Sequence, residues 1–351
     1  MNNILERAER VMRESVVPVA QAMDAKVEVL RAGMIALERE GLLSLRRPAI
    51  YGGPDVDQAT FRHFQETIAR FSGSLAFLQT QHQSAVAMIA AGEHEALKAS
   101  ILPLAHTLDG TIGIGFSQLR RPGPPTMRAA QSAGGYVLDG HVPWVTGATF
   151  FPRFLVGAEL PDGTALFAVV PLSNIVGQIS VSAPMRLAAM EAAQTVTVDF
   201  TEFFVGDEDV AFVKPRGWIH DNDMVNVTLQ GYFALGCAQA GIDIVRQVHG
   251  RRAMDFLEQT ASSLEAELVE CRQELGMLDR PLSERLESRS RAIDLAARCA
   301  HAGVVASSGA ANSIFHPAQR VYREALVFSV SAQTTPIMEA SLRRLVARGG
   351  P

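Results

Sequence analysis

Trp144 and Thr146 are the residues whose types and spacing suggest a binding site most directly. They lie two positions apart in a run with the turn-bounded pattern of a β-strand, and residues at that spacing point to the same face. The indole offers a broad aromatic wall, and the hydroxyl offers a hydrogen-bond donor beside it. The pair could therefore hold a flat ring with apolar faces and a polar edge. The alternative is that Trp144 packs in the core between sheet and helices.

Groups for metal, nucleophilic or phosphate chemistry form no recognisable motif. The nine histidines are scattered, and the one HxxE spacing, His63 with Glu66, has no third ligand nearby, so we expect no metal site. No serine-nucleophile elbow or phosphate-binding glycine loop occurs. The three cysteines have no CxxC spacing, which predicts free thiols in a reducing compartment. They are Cys237, Cys271 and Cys299.

Composition and charge exclude several classes of protein. The chain has 351 residues, 48% of them apolar and 20% charged, with a formal net charge of −5, which is typical of a folded protein and not of a disordered one. Without a long basic run, we expect no nucleic-acid partner. The charged residues among positions 1–16 argue against a secretory signal, and no apolar run approaches the roughly 18 residues that span a membrane. We therefore expect a cytoplasmic protein with no membrane contact.

Apolar spacing divides the chain into a helical domain at 1–108, a β domain at 109–212 and a second helical domain at 213–351. The middle part has short apolar runs between Gly and Asp turns, which predicts an antiparallel sheet or small barrel. In the last part, apolar residues recur at steps of four and three and predict one long helix, packed within the chain or, alternatively, against a partner helix. They are Leu264, Leu268, Cys271, Leu275 and Leu278. The fold class is α+β.

Four groups of residues, in the right order along the chain, resemble motifs of the acyl-CoA dehydrogenase family. They are Gly41-Leu42-Leu43 with Tyr51-Gly52-Gly53, the run from Gly135 to Gly147, Arg186-Leu187 with Thr195 to Phe200, and Pro317 with Arg320, Arg323, Glu324 and Ala325. Each group alone is weak, but together they cover nearly the whole chain. The resemblance implies an N-terminal helical domain, a small antiparallel β domain and a C-terminal domain like a four-helix bundle. It also implies a homodimer or homotetramer.

The resemblance implies that the chain binds FAD. In this family the tryptophan and threonine that match Trp144 and Thr146 pack beside the isoalloxazine and reach its N5 edge, and Val145 between them belongs to the same expected contact. Phe116 and Ser117 correspond to a loop that gives the flavin backbone contacts. The loop that follows them is rich in proline, which lacks the backbone N–H donor.

Further cofactor contacts are implied at Arg252, Gln333 and Thr334. Arg252 matches an arginine that reaches the FAD pyrophosphate of the neighbouring subunit, a task that suits a guanidinium; an ordinary surface arginine is the alternative. Gln333 and Thr334 fall in the segment that carries the family's catalytic glutamate. The family's glutamine-and-glycine cofactor turn is altered here to Val305, Ser308 and Gly309.

The catalytic glutamate of the family is missing. Its two usual positions fall on Ala332 and Asn226, and neither side chain can take a proton at neutral pH. The groups that could replace it are three carboxylates and two histidines, and no catalytic residue is assigned among them. They are Asp221, Asp223, Glu339, His220 and His316.

The resemblance implies an FAD-dependent oxidoreductase that acts on the CH–CH group of an acyl thioester, carried by CoA or by a carrier protein, with an unidentified base. A flavin-dependent monooxygenase or oxidase of the same fold is an alternative, because that chemistry tolerates the missing carboxylate. A non-catalytic protein that keeps the fold is another. An electron-transfer flavoprotein or a flavin reductase would be the redox partner.

Overall fold

The computed structural model describes residues 2–347. The N-terminal part is helical: α1 Asn2–Val11, α2 Ala20–Met23, α3 Val27–Arg39, α4 Gln58–Phe71, α5 Gly73–Ala90 and α6 Glu95–Ile101. Side-chain caps mark the start of α4 and α5, the two longest helices of this part. The Asp57 carboxylate accepts from the Thr60 N–H before α4, and the Ser72 hydroxyl accepts from the Leu75 N–H before α5. Helix α5 is buried on nearly every side and forms the centre of this part.

The middle of the chain forms one mixed sheet. Its strands are β1 Ile112–Gly115, β2 Met127–Ser132, β3 Gly135–Val145, β4 Arg153–Glu159, β5 Ala165–Pro171, β6 Ile179–Val181, β7 Val196–Gly206 and β8 Val210–Lys214. Their order is β6-β7-β3-β2-β4-β5-β8, and β1 lies outside this path beside β4. Most pairs are antiparallel, as expected, but β2 meets β4 in parallel at one residue pair, and β1 runs parallel to β4 along its whole length. Short runs alone could not reveal that pairing, since it joins strands that are distant in sequence.

The C-terminal part is helical again: α7 Trp218–Val225, α8 Gly231–Arg252, α9 Asp255–Gly276, α10 Leu282–Ser307, α11 Pro317–Val330 and α12 Thr335–Ala347. The predicted apolar seam lies on α9, where Leu268, Cys271 and Leu275 are fully buried within the chain. Leu278 was wrongly placed on the same helix, because α9 ends at Gly276 and Leu278 is 39% exposed. No helix among residues 2–347 is both long and apolar enough to cross a membrane.

One large hydrophobic cluster contains side chains from all three parts. Helix α8 approaches α4 so closely that a Cβ at Gly236 would lie 2.3 Å from the Glu66 carbonyl oxygen, and only glycine fits there. The Asp24 carboxylate accepts from the Met190 N–H at 2.7 Å and pairs with Arg323 of α11 at 2.6 Å. These contacts hold the helical parts and the loop before β7 against each other. The division into domains at 108 and 212 stays a prediction.

Candidate functional site

A cavity of about 1100 Å³ lies where the sheet meets the two helical parts; we call it the main cavity. One wall follows α5 from Phe77 to Ala91, the residue just after its end, a length of about 21 Å at 1.5 Å per residue. Other walls come from the ends of β1 and β3, from α7, and from the segment 331–334 between α11 and α12. Three parts of the chain that are distant in sequence therefore contribute to one space.

Trp144 and Thr146 both line the main cavity. The indole is 46% exposed, so it forms part of the wall and does not fill the core. Thr146 is buried, and its hydroxyl lies 3.1 Å from the Thr195 hydroxyl. Because Val145 points to the opposite face of β3 and is fully buried, its side chain does not line the cavity.

Phe116, Ser117, Gln333 and Thr334 also line the main cavity. The Phe116 ring packs edge-on against Phe167, with centroids 5.6 Å apart. The Ser117 and Thr334 hydroxyls are both buried and have no hydrogen-bond partner among the described residues. A buried hydroxyl without a partner costs about 1–3 kcal/mol, so these two atoms mark places where a ligand would be stabilised.

The two positions that the resemblance gave to the base, Ala332 and Asn226, lie on the wall of the main cavity. Ala332 has a left-handed backbone with φ of 45°. Arg289 of α10 holds its segment, since this guanidinium donates to the carbonyl oxygens of Ser331 at 2.7 Å, Ala332 at 3.2 Å and Val227 at 3.1 Å. Burial lowers the pKa of Arg289 to about 10.

Arg289 is a residue of the site that no sequence motif indicated. It is 3% exposed and lines the main cavity. A signal was available, because Arg289 falls in helical register with Ala292 and Ala296 of α10, both of which are buried. An arginine on the apolar face of a helix needs internal acceptors, and here backbone carbonyls provide them.

Asp223 is the one carboxylate among the described residues that line the main cavity. Both of its oxygens are engaged, because Arg120 donates to them from Nε at 2.7 Å and from an Nη at 2.8 Å. The other candidate groups lie outside the cavity lining. Glu339 is exposed and pairs with Arg343, and His316 Nδ1 accepts from the Ala318 N–H at the start of α11. Asp221 and His220 are exposed residues of α7.

Arg252 lies far from the main cavity of its own chain. Gln230, just before α8, lines that cavity, and Arg252 ends the helix 22 residues later, about 33 Å away along the axis. Arg252 lines a second cavity of about 860 Å³ together with Val305 and Ser308. The structure therefore brings Arg252 together with two residues of the altered cofactor turn, but not with Trp144.

Comparison with known proteins agrees with this architecture. Residues 2–107 match the family model described as acyl-CoA dehydrogenase, N-terminal domain. No curated protein matches the chain by sequence. Butyryl-CoA dehydrogenase from Megasphaera elsdenii superposes with a TM-score of 0.80 at 16% identity, over 98% of this chain and 97% of that chain. Glutaryl-CoA dehydrogenase in complex with glutaryl-CoA gives 0.80 at 17% identity, over 98% and 95%.

An acyl-CoA dehydrogenase from Bacillus anthracis, complexed with FAD, also superposes with a TM-score of 0.80 at 17% identity, over 99% of this chain and 67% of that chain. At such identities the structures establish the fold. The family resemblance and the α+β fold class inferred from the sequence are thereby confirmed. Residues 2–107 belong to the acyl-CoA dehydrogenase N-terminal domain family, and the whole chain has the acyl-CoA dehydrogenase fold.

Proposed function

We propose that the chain is an FAD-dependent oxidoreductase that acts on the CH–CH group of an acyl thioester in the main cavity. The observation that carries the proposal is the convergence of Trp144, Thr146, Ser117 and Thr334 on one space. The structure solved with FAD in an acyl-CoA dehydrogenase of the same fold supports the choice of cofactor.

The residues present fit a flavin. The exposed Trp144 indole offers a flat apolar face, and the unpartnered hydroxyls of Ser117 and Thr334 offer polar contacts. Thr195 can accept from Thr146 or donate to it, so the pair can present either a donor or an acceptor to the edge of a ring. A volume of about 1100 Å³ exceeds what one drug-sized ligand needs, which leaves room for a substrate beside the ring.

FAD supplies a hydride acceptor for oxidation of the bond next to a thioester carbonyl. The proton at the α-carbon requires a base from the chain, and Ala332 and Asn226 cannot provide one. Asp223 is the carboxylate that remains among the described lining residues, and Arg120 engages both of its oxygens. Dehydrogenation in this site therefore assigns the proton to Asp223, at a lone pair that the two hydrogen bonds from Arg120 leave open.

A flavin-dependent monooxygenase or oxidase of the same fold is the second candidate. The Arg120–Asp223 ion pair favours it, because oxygen chemistry does not need a free carboxylate base at this place. A protein without catalysis that keeps the fold is the third. The acyl carrier is CoA or a carrier protein, and the redox partner is an electron-transfer flavoprotein for a dehydrogenase or a flavin reductase for an oxygenase.

The proposed assembly is a homodimer or homotetramer. Arg252 of one chain lies about 33 Å along α8 from the main cavity of the same chain. If Arg252 contacts the pyrophosphate of FAD, as the resemblance implies, the FAD must therefore belong to a second copy.

The visible absorption spectrum of the purified protein, before and after addition of FAD and desalting, tests the cofactor. We expect a retained flavin band, and a roughly fivefold weaker affinity for FAD in Thr146→Val, since one hydrogen bond contributes about 1 kcal/mol. Thr197→Val is the matched control, because Thr197 lies two residues from Thr195 on β7 and outside the cavity lining. A colourless protein after reconstitution would refute both enzyme hypotheses.

With flavin bound, anaerobic titration with acyl thioesters separates the two enzyme functions. Bleaching of the flavin by a saturated thioester supports dehydrogenation. Bleaching only by an added flavin reductase with a reduced nicotinamide nucleotide, followed by oxygen consumption that depends on substrate, supports oxygenation.

A further inference from the structure

Arg46 is a basic side chain of the main cavity that the proposed function does not use. It lies between α3 and α4, where its backbone N–H donates to Gln83 Oε1 at 3.2 Å. Its guanidinium lies over the Phe61 ring, 5.1 Å from the centroid. Phe61 and Gln83 are both buried, so the base of the side chain is held by the interior of the helical part.

No carboxylate among the described residues pairs with Arg46. In the amide orientation that suits both groups, the Gln58 oxygen accepts from the two Nη atoms at 2.9 and 3.0 Å. A neutral amide does not compensate the charge of a guanidinium. Burial lowers the pKa of Arg46, and the nearby charge of Arg62 lowers it further. An anion beside Arg46 would oppose both effects.

The other charged groups of the cavity wall are already engaged or exposed. Arg120 pairs with Asp223, and Arg289 donates to three backbone carbonyls. The Lys214 ammonium lies over the rings of Phe212 and Trp218, and Arg121 is exposed. Because Asp223 is the one carboxylate among the described lining residues, the cavity has an excess of positive charge that favours an anionic ligand.

We propose that Arg46 binds a carboxylate on the acyl part of the substrate, so that the substrate is an acyl thioester with a second, free acid group. A guanidinium donates two parallel hydrogen bonds to a carboxylate, and Phe61 and Gln83 hold this one in place. The inference rests on the proposed function, since it names the class of thioester for the same cavity. A phosphate of CoA or of FAD is the competing source of negative charge.

Calorimetric binding of CoA thioesters, in pairs matched in carbon count, separates these sources. The pairs are malonyl- with propionyl-CoA, succinyl- with butyryl-CoA, and glutaryl- with pentanoyl-CoA. Both members of a pair carry the same phosphates, so a difference within a pair reports the carboxylate alone. We expect at least tenfold tighter binding of the acid member in one pair, a difference of about 1.4 kcal/mol, because hydrogen bonds between charged groups are stronger than those between neutral groups.

Arg46→Gln should reduce that preference to about twofold, and Arg46→Lys, which keeps the charge without the planar fork, should leave an intermediate preference. Arg62→Gln is the matched control, since Arg62 acts on Arg46 through its charge but does not line the cavity, and it should retain the preference. Three results would each overturn the inference. The first is equal affinity for both members of every pair, and the second is a preference for the acid member that survives in Arg46→Gln. The third is that Arg46→Gln weakens binding of both members equally and also loses FAD. Calorimetry measures binding whether or not flavin is present. A colourless protein would therefore refute the proposed function, while the preference for the acid member could still be measured.

Discussion

His82 provides a stability prediction whose sign and size follow from its contacts. It lies in α5, is fully buried, and makes two hydrogen bonds that require a neutral ring. Nε2 donates to the Ala105 carbonyl oxygen at 2.7 Å, and Nδ1 accepts from the Ile112 N–H at 3.0 Å. Protonation would turn the acceptor into a second donor that faces the Ile112 N–H. Burial lowers the pKa of His82 from 6.5 to about 4.

The unfolded chain binds a proton at this histidine below pH 6.5, whereas the folded chain does not until about pH 4. The free energy of unfolding therefore decreases as the pH falls from 6.5 towards 4 and stops changing, for this group, below that pH. Between the two pKa values, each pH unit changes the free energy of unfolding by about 1.36 kcal/mol. Lowering the pH from 8 to 5 covers about 1.5 units of that interval, from pH 6.5 to 5, and should lower the free energy of unfolding by about 2 kcal/mol through His82 alone.

Urea unfolding at pH 8 and pH 5 measures this effect. His82→Gln can still donate to the Ala105 carbonyl but cannot take up a proton, so its pH-dependent loss of stability should be about 2 kcal/mol smaller than that of the wild type. His220→Gln, a change at an exposed residue of α7, is the control and should keep the wild-type dependence. If His82→Gln shows the same pH dependence as the wild type with an unchanged m value, the assignment to His82 is wrong.

Two further predictions concern the wall of the main cavity. Arg289→Met should lower the free energy of unfolding by about 3 kcal/mol, roughly 1 kcal/mol for each of three carbonyls left without a donor. Arg285→Met, one turn earlier, removes the donor to the carbonyls of Met224 and Val225, but at a more exposed place where water can replace it, and should cost about 1 kcal/mol. Equal losses in urea unfolding would contradict the role of Arg289. Asp223→Asn should slow thioester dehydrogenation at least a hundredfold if Asp223 is the base, with Asp221→Asn as the control and FAD retention unchanged. A dehydrogenation rate in Asp223→Asn within a few-fold of the wild type would remove Asp223 from the proposed mechanism.

The helices, the strands and the fold class follow largely from local pattern, because apolar spacing and turn residues act over a few positions. The parallel pairing of β1 with β4 does not, since the partners in register, such as Ile112 and Arg153, are far apart in sequence. The end of α9 was misjudged for a similar reason. Leu278 continues the apolar spacing, but the helix stops at Gly276.

In the candidate site, too, some features follow from local sequence pattern and others only from the tertiary structure. Spacing alone placed Trp144 and Thr146 on one face, and the order of motifs indicated that Ala332 and Asn226 stand where a base is usual. Only the tertiary structure showed that the Trp144 indole is an exposed wall and that Val145 is buried behind it.

The sequence by itself determined the class of fold and the spacing of the aromatic and hydroxyl pair, because both depend on residue type and short-range order. The lack of a carboxylate at Ala332 and Asn226 follows from the sequence together with its resemblance to the family. The tertiary structure decided which charged groups are engaged. Arg120 pairs with Asp223, and Arg289 donates to the segment 331–334, which are contacts between elements that are distant in sequence. Arg46 lines the same cavity and pairs with no carboxylate among residues 2–347. The charge of a cavity depends on which charged groups the fold pairs with each other, and local sequence patterns do not predict those pairs.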